Sequence, residues 1–147
     1  MKRTLGPMFD AAGITGQWVN GNTVSGLAPQ KGAYVLAIDL RRPAPLGISK
    51  FAACTIAPAL YVYLGSARGP GGIGARLKRH FRKDKALHWH IDHLTAQADR
   101  VEALAVSDGN ECELQAALLE CPELELGPQG FGSTDCRRCQ SHLLRCK

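Results

Sequence analysis

Three clusters of side chains carry residue types and spacings suited to chemistry. The first is basic: Arg68, Arg76, Lys78, Arg79, Arg82, Lys83 and Lys85 face the single acid Asp84 over one short stretch. Such a stripe attracts phosphate and speeds encounter with a polyanion, although most charge runs are solvated helix faces. The second gathers His88, His90 and His93 around Asp92. On a helix His88 and Asp92 share one face and His90 and His93 another, which suits a metal site or an acid–base pair as well as plain helix packing. Trp89 between them reads as packing rather than a base-stacking platform. The third is Cys136-x-x-Cys139-x-x-His142, soft ligands at chelating spacing for zinc, with Cys112, Cys121 or Cys146 available as a fourth. The alternative is that Asp135, Cys136, Ser141 and His142 fix the last loop by hydrogen bonds.

These clusters need elements to hold them. Residues 1–31 mix Gly, Asn, Thr and Ser without a sustained period and read as an extension of uncertain order, so the domain is expected over 32–147. From Ala33 to Leu40 the alternation of Tyr34, Leu36, Ile38 and Leu40 marks a strand, in which Tyr34 reads as a core tyrosine. An extended run from Ile48 to Ile56 precedes a second clear strand, where Tyr61 and Tyr63 lie opposite Leu60, Val62 and Leu64 and lead toward a glycine turn. The run Gly65-Ser66-Ala67-Arg68-Gly69-Pro70-Gly71-Gly72 is expected to be that turn. Ile73, Leu77 and Phe81 then give a helix its apolar stripe, with Arg76 and His80 one turn apart on another face. A second helix is expected from about Lys85 to Ala98 with Leu87, Ile91, Leu94 and Ala98 inward, then a strand from Val101 to Val106. Asn110 and Glu113 fit a capping box opening a helix that carries Leu114 and Leu118, and the remainder reads as loop. This order predicts an α+β domain, a small central mostly antiparallel or mixed sheet flanked by helices.

Gly32-Ala33-Tyr34, Tyr63-Leu64-Gly65, Arg76 early in a helix and an acid in a later helix together resemble the GIY-YIG nuclease superfamily, from about Gly32 to Glu120. Adding Gly65 to Gly72, His88-Trp89-His90-Ile91-Asp92, Glu111-Cys112-Glu113-Leu114 and Phe131 to His142, the chain resembles one branch more closely, a family of unknown function sometimes fused to endonuclease III in archaea. The resemblance implies phosphodiester cleavage by water with one divalent cation, magnesium or manganese, held by a glutamate. By position, Tyr34 would help activate the water and Tyr63 orient it or the phosphate. Arg76 would stabilise phosphoryl charge, and His80 would support it from one turn away. The metal glutamate is open among Glu111, Glu113 and Glu120, and the capping role of Glu113 favours Glu111. Ala33 and Leu64 replace the motif isoleucines, and the glycine-rich insertion lengthens the path from Tyr63 to Arg76.

The composition, with 45% hydrophobic and 21% charged residues and a net charge of +5, is that of a globular protein. No apolar run reaches the roughly 18 residues that span a bilayer. A cytoplasmic setting is expected, in which the six cysteines stay thiols or bind metal. The expected activity is metal-dependent hydrolysis of nucleic acid, DNA first, with Arg68, Lys78, Arg79, Arg82 and Lys83 on the backbone. A non-catalytic nucleic-acid-binding module, for instance in DNA repair, and a zinc-stabilised interaction protein are the alternatives.

Overall fold

The computed structural model describes residues 1–48, 54–132 and 139–147. In chain order its elements are α1 (Lys2–Ala11), β1 (Gln17–Val19), β2 (Gly32–Leu40), β3 (Ala44–Pro45), β4 (Thr55–Ile56), β5 (Ala59–Ala67), α2 (Gly72–Phe81), α3 (His90–Thr95), β6 (Arg100–Ser107), α4 (Glu111–Leu119), β7 (Leu124–Leu126) and β8 (Leu143–Cys146). Six strands form one sheet in the order β1-β6-β2-β5-β8-β7, with every neighbouring pair antiparallel. The fold is α+β, as the element order predicts.

Strand periodicity divides this sheet into two faces. Tyr34, Leu36, Ile38 and Leu40 of β2, with Tyr61 and Tyr63 of β5, point toward Ile73 and Leu77 of α2 and Ile91 and Leu94 of α3. Ala33, Val35 and Ala37, with Val62 and Leu64, point the other way, toward Leu5 and Phe9 of α1 and Leu114 and Leu118 of α4. With helices on both faces, β2 is buried almost end to end, so both parities carry apolar side chains.

Four expectations about elements change. The segment before β2 is folded onto the sheet: Leu5 and Phe9 are 0% and 1% exposed, Phe9 stacks on Trp18 with ring centroids 5.6 Å apart, and β1 pairs with β6. Strand β5 runs on through Gly65 to Ala67, because β2 offers it a partner at every residue from Gly32 to Leu40. The helix expected from Lys85 is only α3, beginning at His90, and Leu87 is 48% exposed. The tail read as loop contributes β8, which joins β5 to β7. Of the run Ile48 to Ile56, residues 49–53 lie outside the described residues, and Thr55–Ile56 pairs with β3. No helix among the described residues is long and apolar enough to cross a membrane.

Because Phe9 is 1% exposed within the cluster that α1 and α4 share with the sheet's second face, Phe9→Ala should cost about 3–5 kcal/mol of folding stability, as for other fully buried aromatics. Urea unfolding measures this; a loss under about 1 kcal/mol would show that the first helix is not part of the core.

Candidate functional site

Tyr34 lies across the sheet between two small residues, Gly65 on β5 and Ala105 on β6. A Cβ at Gly65 would fall 2.1 Å from Tyr34 Cζ, so the glycine leaves the room that the ring occupies. Above it, α2 lowers His80 onto the hydroxyl: Tyr34 Oη and His80 Nε2 are 2.7 Å apart in a buried hydrogen bond. Burial drives the Tyr34 pKa upward, reinforced by Tyr63 and opposed by the charge of Arg76. Burial likewise pushes His80 down to about 3, helped by the positive charge of Lys85. The pair is therefore a neutral phenol on a neutral imidazole, and moving a proton between them would create two buried charges. His80 Nδ1 is buried with no hydrogen-bond partner among the described residues.

Beside this pair is a pocket of about 380 Å³ whose lining includes Tyr34, Tyr63, Arg76, Trp89, Glu111 and His142. Tyr63 is pushed up to about 12 by burial, with Arg76 opposing. Gly132 turns at φ 68°, and a Cβ there would sit 2.7 Å from Tyr63 Cε2, so a second glycine makes room for a second tyrosine. The Arg76 guanidinium lies 4.3 Å from the centroid of the Trp89 ring, a cation–π contact at the pocket wall. Glu111 opens α4 and reaches the pocket half-buried, whereas Glu113 and Glu120 are exposed. Asn110 caps that helix by accepting from the backbone N–H groups of Cys112 and Glu113. Tyr61 turns its hydroxyl elsewhere, onto the Ala57 carbonyl.

The histidine cluster is arranged by Asp92 rather than by helical spacing. This carboxylate is 0% exposed and takes both ends of the Arg79 guanidinium at 2.7 Å, together with the backbone N–H groups of His88 and Trp89. Burial would raise its pKa, but the hydrogen bonds from Arg79, Trp89 and His88 hold it below the usual carboxylate value. His88 and His90 line the pocket, and His90 Nδ1 accepts from the Gly132 N–H. The basic stripe divides in two. Arg79 is bound to Asp92 and the Ala86 carbonyl, Lys83 donates to the carbonyls of Thr95 and Ala98, and Lys85 donates to His80 and Thr95. Lys78 and Arg82 are exposed, as is Arg68, which donates to the Gly109 carbonyl.

Of the cysteines, Cys112 and Cys139 come together with His142, one ligand atom of each lying within 4.8 Å of the others, a group that could hold a metal ion. Cys136 lies outside the described residues. Cys121 and Cys146 pack instead against the second face of the sheet. Cys112 is among the fourth ligands that the sequence offers, but only the fold singles it out; Gly132 and its place under Tyr63 have no periodic signal.

An antiparallel sheet clad on both faces, with two buried tyrosines, an arginine and a glutamate on one pocket, defines a small α+β domain built around a polar cleft. The family model for the domain of unknown function DUF123 matches residues 33–147, and the chain belongs to that family. No curated protein and no solved structure matches it.

The buried neutral His80 makes stability depend on pH. Its folded pKa lies below its ordinary 6.5, so the unfolded chain takes a proton that the folded chain refuses, and stability falls as pH drops from 6.5 toward about 3. His142, also lowered by burial, adds in the same direction. In denaturation series between pH 6.5 and 4, His80→Gln should flatten that fall by up to about 1.4 kcal/mol per pH unit, the value of one proton. An unchanged slope would mean that His80 is not held neutral.

Proposed function

We propose that this chain hydrolyses phosphodiester bonds in nucleic acid, DNA first, as a member of the GIY-YIG superfamily that its motifs resemble. One observation carries the reading: Tyr34, Tyr63, Arg76 and Glu111 come from four different elements and line the same pocket. Phosphoryl transfer asks for an oriented water, fixed positive charge on the non-bridging oxygens and a cation near the reacting oxygens. Arg76 supplies the charge, steadied by its contact with Trp89. Tyr34 and Tyr63 act as hydrogen-bonding phenols that orient water and phosphate, since burial keeps both protonated. His80 holds the Tyr34 hydroxyl in place.

Two cation chemistries are separate in this reading. Glu111 offers a carboxylate oxygen suited to magnesium or manganese, and a cation held there would polarise the phosphoryl group. The thiols of Cys112 and Cys139 with His142 suit zinc, in a cytoplasmic setting that keeps thiols reduced. Lys78, Arg82 and Arg68 are exposed cations close in sequence to the pocket residues and serve as backbone contacts. A binding module without cleavage is the second reading, favoured by the Tyr34 hydroxyl already being bonded to His80.

Cleavage should therefore require Arg76 more than binding does. Arg76→Ala is expected to bind nucleic acid within a few-fold of wild type, while magnesium- or manganese-dependent cleavage falls by about a hundredfold or more. Tyr34→Phe should behave alike, having lost only the hydroxyl. Time courses on single-stranded, duplex and branched DNA, with and without chelator, measure both; no metal-dependent cleavage by the wild type, or equal cleavage by Arg76→Ala, would leave the binding module.

Binding itself should weaken steeply with salt. Lys78→Glu with Arg82→Glu should flatten the plot of log affinity against log salt by one unit or more, at roughly 0.9 for each duplex phosphate no longer neutralised. Affinity indifferent to salt would remove the electrostatic part of the proposal.

A further inference from the structure

At one end of the pocket, α4 and the segment leading into β8 are held together by side chains that the hydrolytic reading does not use. Cys112 lies in the first turn of α4, where the helix dipole favours negative charge on a ligand. Three residues on, and so on the same side of the helix, Gln115 is buried and donates to the Ser141 carbonyl. Cys139 and His142 flank that serine, so the bond fixes the ligand-bearing segment against the ligand-bearing helix.

His142 completes the group. It is 6% exposed, and its Nε2 is buried with no hydrogen-bond partner among the described residues. The backbone N–H of His142 donates to the Phe131 carbonyl, and a ring nitrogen with no other bond to make is a ready metal ligand. Leaving such a nitrogen unpaired in the interior is costly, and a metal bond would remove the cost. The ligand atoms lie within 4.8 Å of one another. A tetrahedral centre with metal–sulfur bonds of about 2.3 Å needs sulfurs about 3.8 Å apart, so small side-chain movements suffice.

We infer that Cys112, Cys139 and His142 bind one zinc ion that pins the first turn of α4 to the segment entering β8, separate from the cation proposed at Glu111. Two thiolates and an imidazole select zinc over magnesium or calcium, which prefer oxygen. Among the described residues the group has three members, so the fourth position goes to water or another donor. Each thiol that binds releases its proton to solvent, so affinity rises with pH. The ion also steadies Glu111, the neighbour of Cys112, and Phe131, whose carbonyl accepts from the His142 backbone N–H. The centre does not depend on the chain being a nuclease.

The full chain, expressed with zinc and purified without chelator, should carry about one zinc per chain by elemental analysis. Cobalt(II) exchanged into it should give thiolate charge-transfer bands and the visible bands of a tetrahedral ion. Cys112→Ser and Cys139→Ser should each weaken zinc binding by more than about a hundredfold, beyond the cost of losing a supporting hydrogen bond, while Cys121→Ser leaves it unchanged. Zinc well below one per chain after incubation with excess zinc, or a cobalt spectrum without thiolate bands, overturns the centre without any variant having to fold. Cys112→Ser binding as tightly as wild type overturns its ligand set. None of these readings uses cleavage, so failure here and failure of the hydrolytic reading are told apart.

Discussion

Much of this molecule's working surface depends on one buried carboxylate. Asp92 has no exposure to water, and every direction around it is answered: two nitrogens of Arg79 and two backbone N–H groups, those of His88 and Trp89. A charge so placed persists only on that condition. The same four donors draw α2, α3 and the chain between them into one arrangement. Through it Trp89 is brought beside Arg76 and Arg79, and His88 and His90 are brought to the pocket wall. Removing Arg79 would leave this buried carboxylate with two backbone N–H groups and no opposite charge, so the pair is held by the cost of breaking it more than by its own strength.

The lysines beside it follow similar logic. Lys83 and Lys85 place their ammonium groups on carbonyls at the ends of α2 and α3, groups that a helix leaves without partners. Positive charge there also opposes the negative end of each helix dipole. A run of basic residues thus divides by position: those facing α3 hold two helix ends together, and those on the outer side of α2 stay in water.

How much of this was legible in the sequence depends on the range of the interaction. Tyr34, Leu36, Ile38 and Leu40 on one parity, and Ile73 and Leu77 one turn apart, are local patterns, and the faces they predict are the faces observed. Asn110 as a helix cap is equally local. The start of α3 was not legible, because Asp92 takes the N–H groups of His88 and Trp89 and so ends the helix where composition would carry it on to Lys85. Strand β8 is four residues long and gains its order from β5 and β7, partners far away in sequence. Glu111 and Cys112 stand where a helix begins, but which pocket or thiol they meet is decided by the return of the chain at Cys139 and His142.

Strand β1 covers only three residues of β6, yet it occupies the outer edge of the sheet there. The family match begins at residue 33, so a fragment cut to the family's limits would lose both this strand and the Leu5 and Phe9 side chains that share a buried cluster with Leu104 and Val35. It would then offer a bare hydrogen-bonding edge next to an uncovered apolar face, the combination by which sheets recruit strands from other molecules. For this chain, the segment ahead of the family match is what shields that edge and that face.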